Sequence, residues 1–187
     1  MFTRPVRWLE DAERVDVALY AAIARTPTPA LDRAMARLSH AADYSRLSLV
    51  AAAALAAGGR RGRRAATVGL TSVGVTATVV NLGMKPLGRR SRPGREIERV
   101  PVARHVRMPS STSFPSGHSA TAFAFATGVG HVLAPAGIPL HGLAALVAYS
   151  RVHTGVHYPG DVVVGALAGT VLAQLTAHAL AGPRTRE

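Results

Sequence analysis

Long apolar runs without a charged residue alternate with polar segments along this chain. Residues 65–84 and residues 162–181 each extend for about the 20 residues that a helix needs to cross a bilayer. Only Gln174 and His178 mark the second run. Both runs predict membrane-spanning helices.

Two further regions extend this pattern. Residues 119–150 contain no formally charged residue, and a Pro-Ala-Gly-Ile-Pro segment at 135–139 interrupts them. Because proline disrupts a helix interior, we expect two spans joined by a tight turn there. Residues 47–59 form a shorter candidate span. Buried helices of a soluble all-α protein are the alternative, but so many apolar runs in a short chain favour an all-α, polytopic transmembrane helix bundle of about five spans.

The first third of the chain is more polar. We expect a short helix at residues 15–24, which the Thr-Pro-Thr-Pro sequence at 26–29 ends. Residues 30–43 place apolar residues at helical spacing between arginine and histidine, which predicts an amphipathic helix on the membrane surface or against the bundle. Neither helix suggests chemistry. The predicted organisation is a polar and short helical segment at 1–29, a membrane-embedded domain at 30–182 and a tail at 183–187.

Composition narrows the range of partners. The 187 residues include 22 Lys and Arg against 10 Asp and Glu, a formal net charge of +12. Only 17% of the residues are charged, against roughly 25% in an average soluble domain. The arginines flank the predicted spans with few aromatic residues among them, which favours anionic lipid or an anionic substrate and argues against nucleic acid. The chain has no cysteine, which excludes disulfides and thiolate metal sites.

Charge distribution also predicts topology. Charged residues crowd the first 16 positions, so we expect no cleavable signal peptide. The positive-inside rule places the basic turn at 59–64 in the cytoplasm, and alternation of the spans then places residues 85–115 outside and the basic tail inside. Seven arginines in that outer segment oppose the rule, unless they bind substrate phosphate and lipid head groups. In either orientation, the polar segments that contain Lys85, Ser116 and Arg151 lie on the same side of the membrane.

A Phe-Pro-Ser-Gly-His-Ser segment at 114–119 is typical of an oxyanion site at the start of a helix. Ser116 can donate a hydroxyl hydrogen bond, and the amide of Gly117 can approach an oxygen closely because no side chain intervenes. His118 is then a candidate general acid for a leaving group.

His157 and Asp161 are four residues apart, a spacing that lets the carboxylate orient the ring and leave one nitrogen as a nucleophile. Tyr158-Pro159 makes a continuous helix doubtful, but a helix that starts at the proline would hold Asp161 in its first turn. An incidental histidine and a capping aspartate are the alternative. A zinc site at His153 and His157 is disfavoured because a matching carboxylate pair and cysteine are lacking, so we expect no metal.

Three basic residues are candidate phosphate ligands. Arg92 and Arg151 are planar, permanently charged groups suited to phosphate oxygens, and Lys85 adds a point charge at the end of its helix. Snorkelling to the membrane interface is the alternative for each. Other basic residues of this region are interpreted as solvated or lipid-facing charges, namely Arg89, Arg90, Arg95 and Arg99. The remaining histidines of the spans are interpreted as structural, namely His131, His141 and His178.

Together these segments resemble the tripartite signature of the type 2 phosphatidic acid phosphatase superfamily, which also contains bacterial acid phosphatases and vanadium haloperoxidases. The first motif, Lys, six residues and Arg-Pro, is met by Lys85, Arg92 and Pro93. The second, Pro-Ser-Gly-His, occupies residues 115–118. The third, Ser-Arg, five residues, His, three residues and Asp, is met by Ser150, Arg151, His157 and Asp161. The resemblance runs from about residue 30 to residue 181.

The resemblance implies a mechanism. His157 would attack phosphorus to form a phosphohistidine, Asp161 would orient it, and His118 would protonate the leaving group and later activate water. The phosphoryl oxygens would be held by Lys85, Arg92, Ser116, Gly117 and Arg151. No metal or other cofactor is required.

The sequence thus predicts a multi-pass lipid phosphatase of a bacterial cell membrane, with its site at the outer face. Its substrate would be a lipid phosphomonoester or diphosphate such as phosphatidate, phosphatidylglycerophosphate, a polyprenyl diphosphate or a polyprenyl-linked sugar phosphate. The alternatives are a non-catalytic protein that binds anionic lipid and, less favoured by the short hydrophobic chain, a vanadate-dependent haloperoxidase. The bilayer and the lipid phosphate are the expected partners, and the pattern carries no information on oligomeric state.

Overall fold

A computed structural model describes residues 7–181, and every regular element in that range is helical. The helices are α1 (Arg7–Arg25), α2 (Pro29–Ala41), α3 (Arg46–Ala57), α4 (Arg60–Thr78), α5 (Lys85–Leu87), α6 (Gly117–Val132), α7 (Ala134–His153) and α8 (Pro159–Ala181). A π-helical segment at Val79–Met84 joins α4 to α5 without a break. Short 3₁₀ turns occupy Asp43–Ser45 and Val102–Arg104.

Helix α6 lies at the centre and packs against α4, α7 and α8. Its small residues allow close approach, and Ala120, Ala124 and Ala126 are fully buried. Gly165 and Gly169 of α8 pass directly over the α6 backbone, where a Cβ at either position would collide with the carbonyl oxygens of Ser116 and Ala120. The contact brings the first turn of α8 beside the first turn of α6.

Among residues 7–181, two elements are long and apolar enough to cross a membrane, the continuous helix Arg60–Leu87 and α8. Many large apolar side chains of α8 face outward, including Val163, Leu167, Val171 and Leu175. An apolar surface of this kind is expected where a helix faces lipid rather than water.

The first two helices are fastened to the bundle by a buried ionic network. Arg104, which is fully buried, donates from Nε to Asp32 Oδ1 at 2.7 Å and from its other nitrogens to backbone carbonyls of residues 23, 24 and 26. His153 Nε2 lies 3.0 Å from the same Asp32 oxygen. This network joins α1, α2 and α7 to the loop after α5, and His153 is a structural member of it.

Several predicted boundaries are confirmed. The amphipathic helix predicted at 30–43 is α2, the run at 65–84 lies within Arg60–Leu87, and the run at 162–181 lies within α8. The all-α prediction is confirmed for the described residues.

Three local predictions are wrong. The short helix expected at 15–24 begins at Arg7, and the basic residues expected in a turn at 59–64 begin α4 at Arg60. The chain turns between α6 and α7 at Leu133, while the predicted turn at 135–139 lies inside α7. Proline is tolerated in the first turn of a helix, where its missing N–H would have no partner, so Pro135 starts α7 instead of ending α6. The predicted tail at 183–187 falls outside the described residues.

Candidate active site

The turn between α7 and α8 positions His157. After α7 ends at His153, Gly155 adopts a left-handed conformation, with φ +67°, that reverses the chain. The amides of Val156 and His157 then both donate to the carbonyl of Arg151, at 3.0 and 3.1 Å. Pro159 starts α8, which puts Asp161 in its first turn as the sequence predicts.

His157 is held between a carboxylate and a guanidinium. Its Nδ1 lies 3.5 Å from Asp161 Oδ2 and 3.4 Å from the hydroxyl oxygen of Ser113, which donates to Asp161 at 2.5 Å. On the other side of the ring, Nε2 lies 3.2 Å from Arg92 Nη1. Because a guanidinium only donates hydrogen bonds, Nε2 carries the lone pair and Nδ1 carries the proton. This is the tautomer that a histidine nucleophile requires.

The electrostatic environment keeps this ring neutral. Burial lowers the pKa of His157 to about 4, since the hydrogen bond to Asp161, which favours the charged form, does not compensate for the loss of water and for the positive charges of Arg92 and Arg151. The ring is 1% exposed. A neutral imidazole at physiological pH follows.

Arg92 and Lys85 meet at Ser111. Arg92 donates from Nε to the Ser111 carbonyl at 2.9 Å and from Nη2 to its hydroxyl at 3.3 Å. Lys85 Nζ donates to the same hydroxyl at 3.3 Å, and a Cβ at Gly117 would lie 3.6 Å from that amine. Two cations therefore converge on one small polar side chain beside the start of α6, and this is the electrostatic setting of an anion site.

Ser116 is the N-cap of α6. Its hydroxyl oxygen accepts from the amide and the hydroxyl of Ser119, at 3.4 and 3.0 Å, and its own amide donates to the Asp161 carbonyl at 2.9 Å. Within residues 7–181, the amides of Gly117 and His118 have no acceptor assigned, as is usual in the first turn of a helix. The amides of Gly117 and His118 are thus available to an oxyanion, while the Ser116 oxygen accepts hydrogen bonds in the cap.

Arg151 lies at the end of α7 and is 1% exposed. It donates from Nη1 to the hydroxyl of Ser39 at 2.5 Å, and the same nitrogen is 3.9 Å from Asp43 Oδ1. Its Nε is buried without a hydrogen-bond partner among the described residues. A buried cation with a free donor is costly unless an anion completes it.

A cavity of about 370 Å³ lies beside Ser111, His118 and Arg151. Its lining combines cationic, hydroxyl and acidic side chains and is formed by Asp43, Tyr44, Arg107, Met108, Pro109, Ser110, Ser111, His118 and Arg151. A second cavity of about 200 Å³ between α4 and α6 shares His118 and Tyr44 with the first and also includes Lys85 and Gly117. Residues of all three predicted motifs, namely Lys85, Gly117, His118 and Arg151, therefore line these two neighbouring cavities.

Sequence reasoning missed several residues of this site. Arg90, interpreted as a solvated or lipid-facing charge, donates to Asp16 at 2.6 Å and to Asp161 at 3.1 Å and lies over the ring of Tyr158 at 4.0 Å. Arg95, interpreted in the same way, donates to the Thr154 carbonyl at 3.0 Å. Both interpretations are wrong because partners distant in sequence neutralise or satisfy these side chains. Arg89 and Arg99 are exposed, in line with their interpretation.

No pattern in the sequence identifies three further residues of this site, namely Ser113, Asp43 and Asp16. Ser113 lies just before the Pro-Ser-Gly-His motif, but its contact with Asp161 spans 48 residues. Asp43 lies 2.9 Å from His118 Nε2 across 75 residues of chain. Among residues 7–181 no group of three or more metal-ligating His, Asp or Glu side chains is found.

A family model described as the PAP2 superfamily matches residues 65–183, which include every motif residue named above. The chain belongs to the PAP2 superfamily. The resemblance deduced from the three motifs is therefore confirmed.

Relatives and solved structures agree with this assignment. The chain is 37% identical over 159 residues to a decaprenylphosphoryl-5-phosphoribose phosphatase of Mycolicibacterium smegmatis, covering 83% of this chain and 81% of that protein. It is 36% identical over 104 residues to the protein of the same name from Mycobacterium tuberculosis, covering 55% of this chain and 54% of that protein. The match thus spans about half the length of the Mycobacterium tuberculosis relative.

Two crystal structures share the fold. LpxE of Aquifex aeolicus superposes with a TM-score of 0.73 at 25% identity, covering 88% of this chain and 95% of LpxE. The first transmembrane PAP2 type phosphatidylglycerolphosphate phosphatase from Bacillus subtilis superposes with a TM-score of 0.70 at 26% identity, covering 94% of this chain and 90% of that one. With two helices long enough to span a bilayer, this PAP2 protein is a membrane protein.

Proposed function

We propose that this PAP2 protein is a lipid phosphatase that transfers a phosphoryl group to His157 and then to water. The observation that carries the proposal is the arrangement of His157, whose Nε2 lone pair faces Arg92 while Asp161 and Ser113 lie behind Nδ1. A binding protein for anionic lipid needs the cations but does not need a buried, neutral, carboxylate-oriented imidazole. Membership of the PAP2 superfamily supports the same activity.

The proposed reaction has two steps. In the first, Nε2 of His157 forms a bond to phosphorus as the bond from phosphorus to the leaving oxygen breaks, and His118 gives that oxygen a proton. In the second, His118 removes a proton from water, whose oxygen attacks phosphorus as the bond to Nε2 breaks. Asp161 stabilises the imidazolium character of His157 in both steps. The reaction uses neither a metal ion nor another cofactor.

The proposed phosphate ligands are Lys85, Arg92 and Arg151 together with the amides at the start of α6, at Gly117 and His118. Charge on the three equatorial oxygens of the transferring group grows little, so fixed cations and amides contribute mainly by positioning and by offsetting existing charge. Ser116 is proposed to act chiefly through its cap, which fixes those amides.

The relatives favour one branch of the substrate candidates. Both mycobacterial relatives are named as phosphatases of decaprenylphosphoryl-5-phosphoribose, a polyprenyl-linked sugar phosphate. The cavity of about 370 Å³ combines polar and cationic lining with the exposed ring of Tyr44 at its rim. A polyprenyl-linked sugar phosphate is therefore the proposed substrate, ahead of phosphatidate, phosphatidylglycerophosphate and polyprenyl diphosphates.

We further propose that the domain at 30–182 crosses the membrane about five times, through α3, the continuous helix Arg60–Leu87, α6, α7 and α8, with its site at the outer face. The test uses the natural absence of cysteine. A single cysteine at Ile97, which is 80% exposed in the loop after α5, should react with a membrane-impermeant maleimide in intact cells. Labelling only after the membrane is permeabilised would contradict the outer-face location.

The activity is tested by phosphate release from purified protein in detergent with EDTA. The panel contains decaprenylphosphoryl-5-phosphoribose, phosphatidate, phosphatidylglycerophosphate and a polyprenyl diphosphate. We expect release that survives EDTA and disappears in His157→Ala, while the control His178→Ala, an exposed histidine of α8, keeps full activity. No release from any lipid would favour the anionic-lipid-binding alternative, and halide oxidation with vanadate would favour a haloperoxidase.

A further inference from the structure

The turn between α2 and α3 has an unusual backbone. Tyr44 and Ser45 both lie in the left-handed region, with φ 56° and 57°, although neither is glycine. Such conformations cost of order 1 kcal/mol or more each and persist where the surrounding structure demands them. Both residues follow Asp43, which begins the 3₁₀ turn Asp43–Ser45. This turn packs against α6.

The Asp43 carboxylate lies between three basic side chains. Its Oδ1 is 2.9 Å from His118 Nε2 and 3.9 Å from Arg151 Nη1, and its Oδ2 is 3.3 Å from His40 Nδ1. The Asp43 side chain is 26% exposed and that of His118 is 24% exposed, whereas His40 is 74% exposed. The shortest of these contacts is the one to His118.

This contact assigns the ring nitrogens of His118. A carboxylate only accepts hydrogen bonds, so Nε2 carries a proton towards Asp43. Among the described residues, Nδ1 of His118 has no hydrogen-bond partner, and the ring lines both cavities of the site. Nδ1 is therefore the nitrogen available to a reacting group.

We infer that Asp43 is a positioning residue that holds His118 as the proton donor to the leaving oxygen. The inference rests on the proposed phosphatase activity. When the bond from phosphorus to the leaving oxygen breaks, the proton on Nδ1 of His118 passes to that oxygen, and the ring becomes neutral while its other proton stays on Nε2, hydrogen-bonded to Asp43. The negative charge of Asp43 favours the charged form of the ring and opposes the effect of the surrounding cations.

Several positively charged side chains lie near His118. Arg151 from α7 and Arg107 from the loop line one of the cavities that His118 lines, and Lys85 from α5 lines the other. Each positive charge disfavours an imidazolium. Asp43 is the acidic side chain in direct contact with this ring among the described residues, so its negative charge opposes the effect of those cations on the proton donor. The site thus contains two histidines, each with its own carboxylate: His157 with Asp161 as the nucleophile, and His118 with Asp43 as the acid.

The test compares two leaving groups with Asp43→Asn, which keeps the shape and removes the charge. A lipid alkyl phosphate needs a proton on its leaving oxygen, whereas a p-nitrophenyl phosphate leaves readily without one. Because general acid catalysis contributes about 10²- to 10⁴-fold, we expect kcat on the lipid substrate to fall by about 10²-fold and kcat on p-nitrophenyl phosphate to fall by less than about threefold. KM should change little for either. The basic limb of the kcat profile on lipid should move to lower pH, because removing a negative neighbour makes His118 lose its proton more readily.

Controls separate the possible failures. Asp11→Asn, a substitution at an exposed carboxylate on α1, should leave both activities unchanged. Equal losses on both substrates would show that Asp43 is structural and would overturn the inference. A lower KM with an unchanged or higher kcat would show that Asp43 merely occupies the anion site, and would also overturn it. If the wild-type protein releases no phosphate, the proposed function fails and the inference fails with it, whereas an active, His157-dependent wild type with no leaving-group effect in Asp43→Asn refutes the inference alone.

Discussion

Asp16 of α1 accepts a hydrogen bond from Arg90 Nη1 at 2.6 Å, and the same nitrogen lies 3.1 Å from Asp161 Oδ1. Asp16 also accepts from the amide of Gly160 at 2.6 Å. The N-terminal helix is thereby connected through Arg90 to the carboxylate that orients His157. A helix to which the sequence assigns no chemistry thus contributes a side chain behind the proposed nucleophile.

Replacing Asp16 with Asn should weaken this connection. The side chains of Asp16 and Arg90 are only 12% and 21% exposed, so their charged hydrogen bond is largely shielded from water. Such bonds contribute about 1.5 kcal/mol or more, which corresponds to about a tenfold fall in kcat if Asp161 loses its orientation. The measurement is kcat on the lipid substrate, with Asp11→Asn on the same helix as control. Wild-type kcat in Asp16→Asn would show that Arg90 holds Asp161 without help.

Replacing Asp161 should lower kcat more than replacing Asp16. In Asp161→Asn the amide can no longer stabilise positive charge on His157, and it can favour the wrong tautomer of the ring. Loss of the corresponding aspartate in histidine-based triads costs about 10⁴-fold, so we expect kcat to fall by about 10³- to 10⁴-fold. Rapid quenching with a labelled substrate should show no phosphohistidine in this variant. Near-normal turnover would remove Asp161 from the mechanism.

The pH dependence follows from burial of His157. Its pKa is lowered from 6.5 to about 4, and the ring attacks as the neutral form. A histidine with the ordinary pKa would lose about tenfold in its neutral fraction between pH 7.5 and 5.5. We expect kcat/KM to show no such loss from the nucleophile, with the acid limb lying nearer pH 4. A tenfold fall with its midpoint near pH 6.5 would contradict the lowered pKa.

The same lowered pKa predicts an effect on stability. Between pH 6.5 and about 4 the unfolded chain binds a proton at residue 157 that the folded protein excludes. The free energy of unfolding should therefore fall as the pH decreases through this window, and His157→Gln should remove part of the slope. Thermal unfolding in detergent at several pH values measures both, and equal slopes in the two proteins would contradict the prediction.

Outside the site, we expect substitution of Arg104 to lower the stability of the protein most. It is fully buried, and Arg104→Ala leaves the Asp32 carboxylate and three backbone carbonyls without their donor. Removing one partner of a buried pair costs about 3–5 kcal/mol, so we expect a large drop in melting temperature or failure to fold. Arg89→Ala, at an exposed arginine, is the matched control. Equal melting temperatures in the two variants would mean that water replaces the lost donor.

Much of the site is readable in the sequence because its motifs are local. The spacing of His157, Pro159 and Asp161 determines a turn followed by a helix start, whatever surrounds it. The small residues at 116–119 likewise favour a helix start with free amides. The length of the apolar runs determined that the long elements are helices, since backbone groups without water must bond within their own segment. These features depend on neighbours a few residues apart.

Only the tertiary structure determined which charged side chains lie at the site. Asp43 reaches His118, and Asp16 reaches Arg90, across 75 and 74 residues of chain. No periodicity or motif links positions so far apart, and an isolated acidic residue in a polar helix has the same local pattern whether it faces water or a histidine. The packing of α1 and α2 against the end of the bundle that contains the site determines which acidic residues face a histidine or an arginine there. The sequence determined the candidate reactive groups of this protein, and the fold determined which carboxylates lie beside them, because a side chain's charged partners are set by proximity in space.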